Sequence, residues 1–129
     1  MRYLLDTHVW LWQLVEPERL SRKASAALDA PESELHLSPI SVWEVLVLAR
    51  KKRILLDEPG SWIREALQRT PASMVEITHE IAIRSESLRG FGGADPADRF
   101  LAATCLVHDL ALITSDRGLR RYRQLTTLW

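Results

Sequence analysis

Residues 95–116 read DPADRFLAATCLVHDLALITSD, a stretch that predicts a helix followed by a strand. It begins like a helix, because Asp95 suits the N-cap, the next residue is proline, and Asp98 places a second acid in the first turn. We predict a helix from Asp95 to about His108 and a strand over Ala111–Thr114, with an acid following the strand.

The same alternation of strands and helices runs through the rest of the chain. Further strands are predicted at Tyr3–Asp6, Glu34–Leu37, Met74–Ile77 and Leu125–Leu128. Further helices are predicted at His8–Val15, Ser21–Asp29, Pro39–Lys52, Ser61–Arg69 and His79–Leu88, with a short one after Asp116. This order predicts an α/β fold, a three-layer sandwich whose central parallel sheet of about five strands is flanked by helices. With no repeat and no linker, residues 1–129 are predicted to form a single domain.

Composition narrows the class of protein. Apolar residues make up 47% and charged residues 26% of the 129 positions, as in ordinary globular proteins. The single cysteine, Cys105, excludes an internal disulfide, argues against a cysteine-based zinc site and suits a reducing compartment. We see no secretory leader and no apolar run of about 18 residues. We therefore expect a cytoplasmic protein without a membrane segment.

Charge is balanced overall but not locally. The chain has 17 basic and 17 acidic residues, which does not indicate a protein that binds polyanions through bulk charge. Basic residues cluster at Arg50–Arg53 and again around Arg117 and Arg120. Such patches can contact phosphates. For Arg50–Arg53, the simple preference of cations for helix C-termini explains the cluster at least as well.

Acidic residues recur where predicted strands end or the following helices begin. They are Asp6, Glu44, Asp95, Asp98 and Asp116. Each has a structural explanation as a helix cap or capping-box partner. Capping does not explain why every such position carries an acid, and these positions share the carboxyl edge of a parallel sheet, where ligands bind.

Carboxylates that converge at one edge repel, so either some hold a proton or a cation lies among them. The absence of paired histidines and of a second cysteine favours Mg²⁺ or Mn²⁺ over zinc. Such ions activate water and stabilise the transition state of phosphoryl transfer. An acidic metal pocket beside basic patches therefore predicts cleavage of phosphodiester bonds in a nucleic acid.

Four motifs resemble those of a PIN-domain protein of the VapC toxin type. They are YLLDTHVWLW, SPISVWEV, DPADRFLAATCLVHDLALITSD and LTTLW, in the right order over nearly the whole chain. The resemblance implies a helix-flanked parallel sheet and a Mg²⁺- or Mn²⁺-dependent endoribonuclease that cuts RNA to inhibit translation. It also implies two partners, a cognate antitoxin and a second copy of the chain.

The resemblance also implies particular site residues. Its acidic metal site falls on Asp6, Glu44, Asp98 and Asp116, with Asp95 as a less favoured candidate. Thr7 and Ser115 occupy positions where such proteins often place a hydroxyl near the metal. We further expect Arg99, Arg117 and Arg120 to guide the RNA backbone, although Arg99 could simply pair with a nearby aspartate, and the later arginines could simply coat the C-terminal helix.

Other functions also fit parts of this sequence. A response-regulator receiver is disfavoured because no lysine follows Lys52, and an aspartate-nucleophile phosphatase because His8 stands where a second aspartate would. A structure-specific DNA nuclease and a non-catalytic, antitoxin-binding module remain open. His8 is interpreted as a hydrogen-bonded structural residue. The apolar segments Val9–Val15 and Val42–Ala49 are predicted to lie partly at a protein interface.

Overall fold

The computed structural model describes residues 1–93 and 95–129. The strands in this part of the chain are β1 (Arg2–Leu5), β2 (Glu34–Leu37), β3 (Ser73–Met74), β4 (Ala111–Ile113) and β5 (Thr127–Leu128). The α-helices are α1 (Thr7–Val15), α2 (Arg22–Asp29), α3 (Pro39–Arg50), α4 (Pro59–Arg69), α5 (His79–Ser85), α6 (Pro96–His108) and α7 (Arg117–Arg121). A 3₁₀ turn, Pro17–Arg19, was not predicted.

The five strands form one sheet in the order β3-β2-β1-β4-β5, and every neighbouring pair is parallel. The predicted α/β sandwich is therefore confirmed. From β1 the chain moves outward in one direction through β2 and β3, and later returns to β4 on the opposite side of β1. The strand order thus reverses between β1 and β4, and in open parallel sheets this switch point is where ligands bind.

Alternate residues of β1 face opposite sides of the sheet. Tyr3 and Leu5 belong to one buried cluster, which packs beneath α1 to α4, whereas Leu4 belongs to a second cluster together with Leu101 of α6 and Leu119 of α7. Because both faces are covered, the sheet is the middle layer of three. None of the helices in the described part of the chain has the length and apolar character needed to span a bilayer.

Several element ends differ from the prediction for identifiable reasons. Helix α3 stops at Arg50 rather than Lys52, because Lys52 adopts a left-handed backbone with φ of 58°. Helix α5 stops at Ser85 rather than Leu88. The hydroxyls of Ser85 and Ser87 donate to carbonyl oxygens of the preceding turn, a local pattern that competes with helix continuation.

The two edge strands are shorter than predicted. Strand β3 comprises only Ser73–Met74, and β5 only Thr127–Leu128. Leu125, which was predicted to begin β5, instead donates its backbone N–H to the carbonyl of Tyr122 in a turn. The side chain of Leu125 is buried in the core, although the residue belongs to a turn and not to the predicted strand.

The predicted interface segments are only partly exposed. Trp10 on α1 is fully buried and donates its indole N–H to the Thr70 hydroxyl at 2.8 Å, so an interface role for this residue is wrong. Trp12 is half-buried and packs against Trp129 with ring centroids 5.9 Å apart. On α3, by contrast, Trp43 is 48% exposed.

Candidate metal centre

Asp6 lies at the switch point, directly after β1, and caps α1. Its Oδ1 accepts the backbone N–H of Thr7 at 2.7 Å, and its Oδ2 accepts the hydroxyl of Thr114 at 2.6 Å. The side chain is almost fully buried. Burial raises the pKa of Asp6, and the negative charge of Asp116 adds to this, while His8 and the two hydrogen bonds act in the opposite direction.

Glu44 enters the same region from the second turn of α3. Because the helix begins at Pro39 with Ser38 as its N-cap, Glu44 lies beyond the cap and its capping-box explanation is wrong. Its Oε1 accepts the Thr7 hydroxyl at 2.5 Å. Burial raises the pKa of Glu44, and the charges of Asp6 and Asp95 raise it further, against the lowering effect of that hydrogen bond.

A hydroxyl chain holds Glu44 in place. The Thr7 hydroxyl oxygen also lies 2.8 Å from that of Ser41, which is fully buried. A threonine hydroxyl has one proton, so when Thr7 donates to Glu44 the Ser41 hydroxyl donates to Thr7. Thr7 was predicted as a supporting residue. The contribution of Ser41 was missed, although its position three residues before Glu44 on a helix was a usable signal.

The start of α6 contributes two acids. Asp95 is the N-cap, and its Oδ1 accepts the backbone N–H of Ala97 at 2.9 Å. Asp98 lies in the first turn and is partly exposed. Burial raises the pKa of Asp98 to about 8, and four negative charges raise it in the same direction, those of Asp6, Asp95, Asp116 and Glu44. The other four predicted acids therefore lie within electrostatic reach of Asp98.

Asp116 follows β4 and caps α7. Its Oδ1 accepts the backbone N–H of Leu119 at 2.9 Å, and its own backbone N–H donates to the Thr114 hydroxyl at 3.0 Å. Thr114 therefore contacts both Asp6 and Asp116. Sequence reasoning placed Thr114 at the end of a strand without assigning it a role. A hydroxyl residue between a buried strand and an acid was the available signal.

Ser115 faces His8 rather than the acids. Its backbone N–H donates to His8 Nε2 at 3.2 Å, and its hydroxyl oxygen is 2.9 Å from the same nitrogen. The other ring nitrogen, Nδ1, is 3.4 Å from Oδ2 of Asp6. The expectation that His8 is hydrogen-bonded is confirmed, and its structural role stays a prediction. Ser115 reaches the acidic site through His8.

The three predicted RNA-contacting arginines are differently placed. Arg99 lies 3.5 Å from Glu86 through its Nε, so it pairs with a glutamate and not with a site aspartate, and its guanidinium lies 5.8 Å from the ring centre of Phe91. Arg117 and Arg120 are exposed on α7, the helix that Asp116 caps. They project into solvent beside the acidic site.

The side-chain atoms of the site can be compared with the ligands that a divalent cation prefers. The site offers carboxylate and hydroxyl oxygens without sulfur, which suits Mg²⁺ or Mn²⁺. Over residues 1–93 and 95–129, no three His, Cys, Asp or Glu side chains are already spaced to hold one ion. Several carboxylate oxygens instead accept hydrogen bonds from helix N–H groups and hydroxyls. The residues fit the ion in chemistry and charge.

The fold and the site together define an α/β protein with a convergent acidic pocket at the switch point of a parallel sheet. The sequence pattern of the PIN domain matches residues 3–125. The chain therefore belongs to the PIN-domain family. Ribonuclease VapC22 of Mycobacterium tuberculosis is 38% identical over 129 residues, which cover 98% of this chain and 97% of that protein.

Solved structures agree on the fold. The VapBC2 structure from Rickettsia felis, bound to a DNA fragment from its promoter, has a TM-score of 0.73 at 14% identity and covers 99% of this chain and 98% of that one. At such low identity the likeness concerns the fold alone. A toxin-antitoxin complex from Klebsiella pneumoniae has a TM-score of 0.66 at 27% identity, covering 97% of this chain and 96% of that one.

Proposed function

We propose that this chain is a Mg²⁺- or Mn²⁺-dependent endoribonuclease, the toxin of a toxin-antitoxin pair, formed by one PIN domain over residues 1–129. The observation that carries the proposal is the convergence of five acids at the sheet's switch point, where burial and the charges of the four other acids raise the pKa of Asp98 to about 8. The 38% identity to a protein named a ribonuclease supports RNA as the substrate. PIN-domain ribonucleases generally depend on a divalent metal.

Asp6, Asp98 and Asp116 would hold the ion, with Glu44 contributing directly or through water and Asp95 as a further candidate. When bound, Mg²⁺ or Mn²⁺ lowers the pKa of water and neutralises non-bridging phosphate oxygens. The free oxygen of Glu44 is proposed to accept a hydrogen bond from the attacking water. The chain from Ser41 through Thr7 fixes the orientation of that carboxylate.

The remaining polar residues hold the proposed metal ligands in place. Thr114 ties Asp6 to the backbone of Asp116, and His8 ties Asp6 to Ser115, so the loop after β4 is held against the end of β1. This network keeps the two aspartates at a fixed separation before any cation binds, which limits the ordering that binding requires. Arg117 and Arg120, exposed on α7, are proposed to contact RNA phosphates.

The proposed partners are a cognate antitoxin and a second copy of the chain. The exposed Trp43 and Leu46 on α3 form an apolar surface of a kind enriched at protein interfaces, and we propose that a partner covers it. The toxin-antitoxin complex from Klebsiella pneumoniae supports the antitoxin as a partner class. A cytoplasmic location stays a prediction from the sequence.

The direct test incubates purified protein with total RNA and with single-stranded DNA, in Mg²⁺, in Mn²⁺ and in EDTA. Cleavage of RNA that EDTA stops and Asp98→Asn abolishes supports the proposal. The exposed Asp57 supplies a matched control, since Asp57→Asn should cut like the parent. Cleavage of DNA alone would favour a DNA nuclease. If neither RNA nor DNA is cut under any condition, the chain is a non-catalytic binding module.

A further inference from the structure

A cavity of about 340 Å³ opens beside the acidic site. Its walls come from the glycine-rich loop before α6 and from α7. The residues that carry the argument are Phe91, Gly92, Asp98, Asp116, Arg121 and Tyr122. The volume is within the range of about 300–1,000 Å³ typical of small-molecule sites. Because Asp98 and Asp116 belong to both places, the cavity is continuous with the candidate metal centre.

Two aromatic rings form the apolar part of the cavity. The rings of Phe91 and Tyr122 meet edge to face, with centroids 5.1 Å apart and planes at 69°. Phe91 folds back over its own loop so closely that a Cβ on Gly93 would lie 2.7 Å from the ring. Glycine at position 93 is therefore what allows the ring to occupy this position.

Tyr122 has a polar group without a partner. The residue is only 6% exposed, and its hydroxyl makes no hydrogen bond to any residue in the described part of the chain. Buried hydroxyls are normally paired, and leaving one unpaired is unfavourable. Tyr122 also lines the cavity, so a ligand that enters the cavity can supply the partner that this hydroxyl lacks.

We propose that this cavity binds one unpaired nucleobase of the RNA substrate, from the nucleotide adjoining the cleaved phosphate. The proposal rests on the nuclease function above. A base has a planar apolar face for Phe91 and Tyr122, and edge groups that can pair with the Tyr122 hydroxyl. The two aspartates in the wall disfavour an anion but accept a neutral ring. Arg121 also lines the cavity and supplies a positive charge for a neighbouring phosphate.

The first experiment maps 5′ ends after cleavage of a random-sequence RNA pool by the full chain in Mg²⁺. The parent should prefer certain bases at one position beside the cut. Tyr122→Phe removes only the hydroxyl and should weaken that preference by about threefold to tenfold. Phe91→Ala should reduce cleavage by roughly 5- to 100-fold through lost stacking.

The chain's other tyrosine provides a matched control. Tyr3 is buried in β1 within the opposite core cluster and does not line the cavity, so Tyr3→Phe should keep the parent's preference. If the parent cuts RNA but Tyr122→Phe has the same rate and base preference, the base site is wrong while the nuclease stands. If the parent cuts nothing, the nuclease function itself fails.

A second measurement does not depend on cleavage. Adenosine, guanosine, cytidine and uridine are titrated separately into metal-free protein, and amide shifts are followed by NMR. The shifts should concentrate at Phe91, Gly92 and Tyr122 and shrink for Tyr122→Phe. Shifts that are scattered over the surface, or that are identical in that variant, would overturn the proposal even for an active nuclease.

Discussion

Asp6 and Thr114 are 108 residues apart in sequence, yet the Thr114 hydroxyl donates to Oδ2 of Asp6 at 2.6 Å. The bond joins the ends of β1 and β4, the two strands between which the sheet order reverses. Both side chains are buried. Inside a protein such a hydrogen bond is stronger than in water, so it fixes one wall of the acidic site before any ligand arrives.

Replacing Thr114 with valine tests this bond, because the shape is kept and the hydroxyl is lost. Asp6 then loses a donor that lowers its pKa, and the N–H of Asp116 loses its acceptor. We expect Thr114→Val to lower the free energy of unfolding by about 1–3 kcal/mol, measured by urea denaturation in EDTA. Mg²⁺ affinity, measured by calorimetry, should fall as well.

Thr104→Val is the matched control. Thr104 is equally buried, but its hydroxyl donates to the Phe100 carbonyl four residues earlier on the same helix. This bond supplements the helix and leaves no charged group unpaired when it is removed. We expect a smaller loss of stability and an unchanged Mg²⁺ affinity. Equal losses in the two variants would contradict the special role of Thr114.

The stability of the metal-free protein should fall as pH rises. Asp98 has a pKa of about 8 in the folded chain and an ordinary value of 3.8 in the unfolded chain. Between these values the folded state holds a proton that the unfolded state has released, so raising the pH favours unfolding. Asp98 alone contributes at most about 1.4 kcal/mol per pH unit to this slope, and solvent reduces its contribution because the side chain is partly exposed.

The measurement is the melting temperature in EDTA from pH 5 to pH 8.5. In Asp98→Asn the melting temperature should fall less steeply with rising pH. It should still fall, because burial also raises the pKa of Asp6 and Glu44. Asp57→Asn, at an exposed position, should follow the parent. A melting temperature that rises steadily over this range in the parent would show that the acids are not held in a repulsive cluster.

The sequence predicted this fold well because its signals are local. Asp95 followed by proline gives the start of α6, and the structure shows Asp95 as its N-cap. The apolar run after Leu110 gives β4. The strand order could not be predicted, since pairing β1 with β4 depends on packing across more than 100 residues. The edge strands were overestimated because an apolar residue such as Leu125 can be buried in a turn.

For the site, the acids could be predicted but their hydrogen-bond partners could not. Strand ends and helix starts placed Asp6 and Asp116 on one edge, and the structure brings them within electrostatic reach. Thr114 and Ser41 act through contacts between distant segments, which no periodicity reveals. The Phe91–Tyr122 cavity was missed for the same reason, because its two rings are brought together only by folding.

Asp98→Asn should change stability and activity in opposite directions. Removing the charge relieves the repulsion that the four other acids exert on Asp98, so the metal-free protein should melt several degrees higher at pH 8. The same change removes a proposed ligand, so RNA cleavage should fall by more than about 100-fold. A variant that loses both stability and activity would indicate that Asp98 mainly supports the structure.

The last prediction separates the two basic clusters. If Arg117 and Arg120 contact RNA phosphates, replacing both with alanine releases fewer counterions on binding. For single strands the slope of log affinity against log salt should become less steep by about 1.4, or 0.7 for each lost contact.

Binding is measured in the inactive Asp98→Asn background, with a short fluorescent RNA and salt from 50 to 300 mM. The control replaces Arg50 and Arg53, exposed residues at the carboxyl end of α3, where the helix dipole alone accounts for basic residues. Its salt slope should match that of the background protein. Equal changes in the two double variants would mean that RNA responds to overall charge, and α7 would then have no particular part in guiding the backbone.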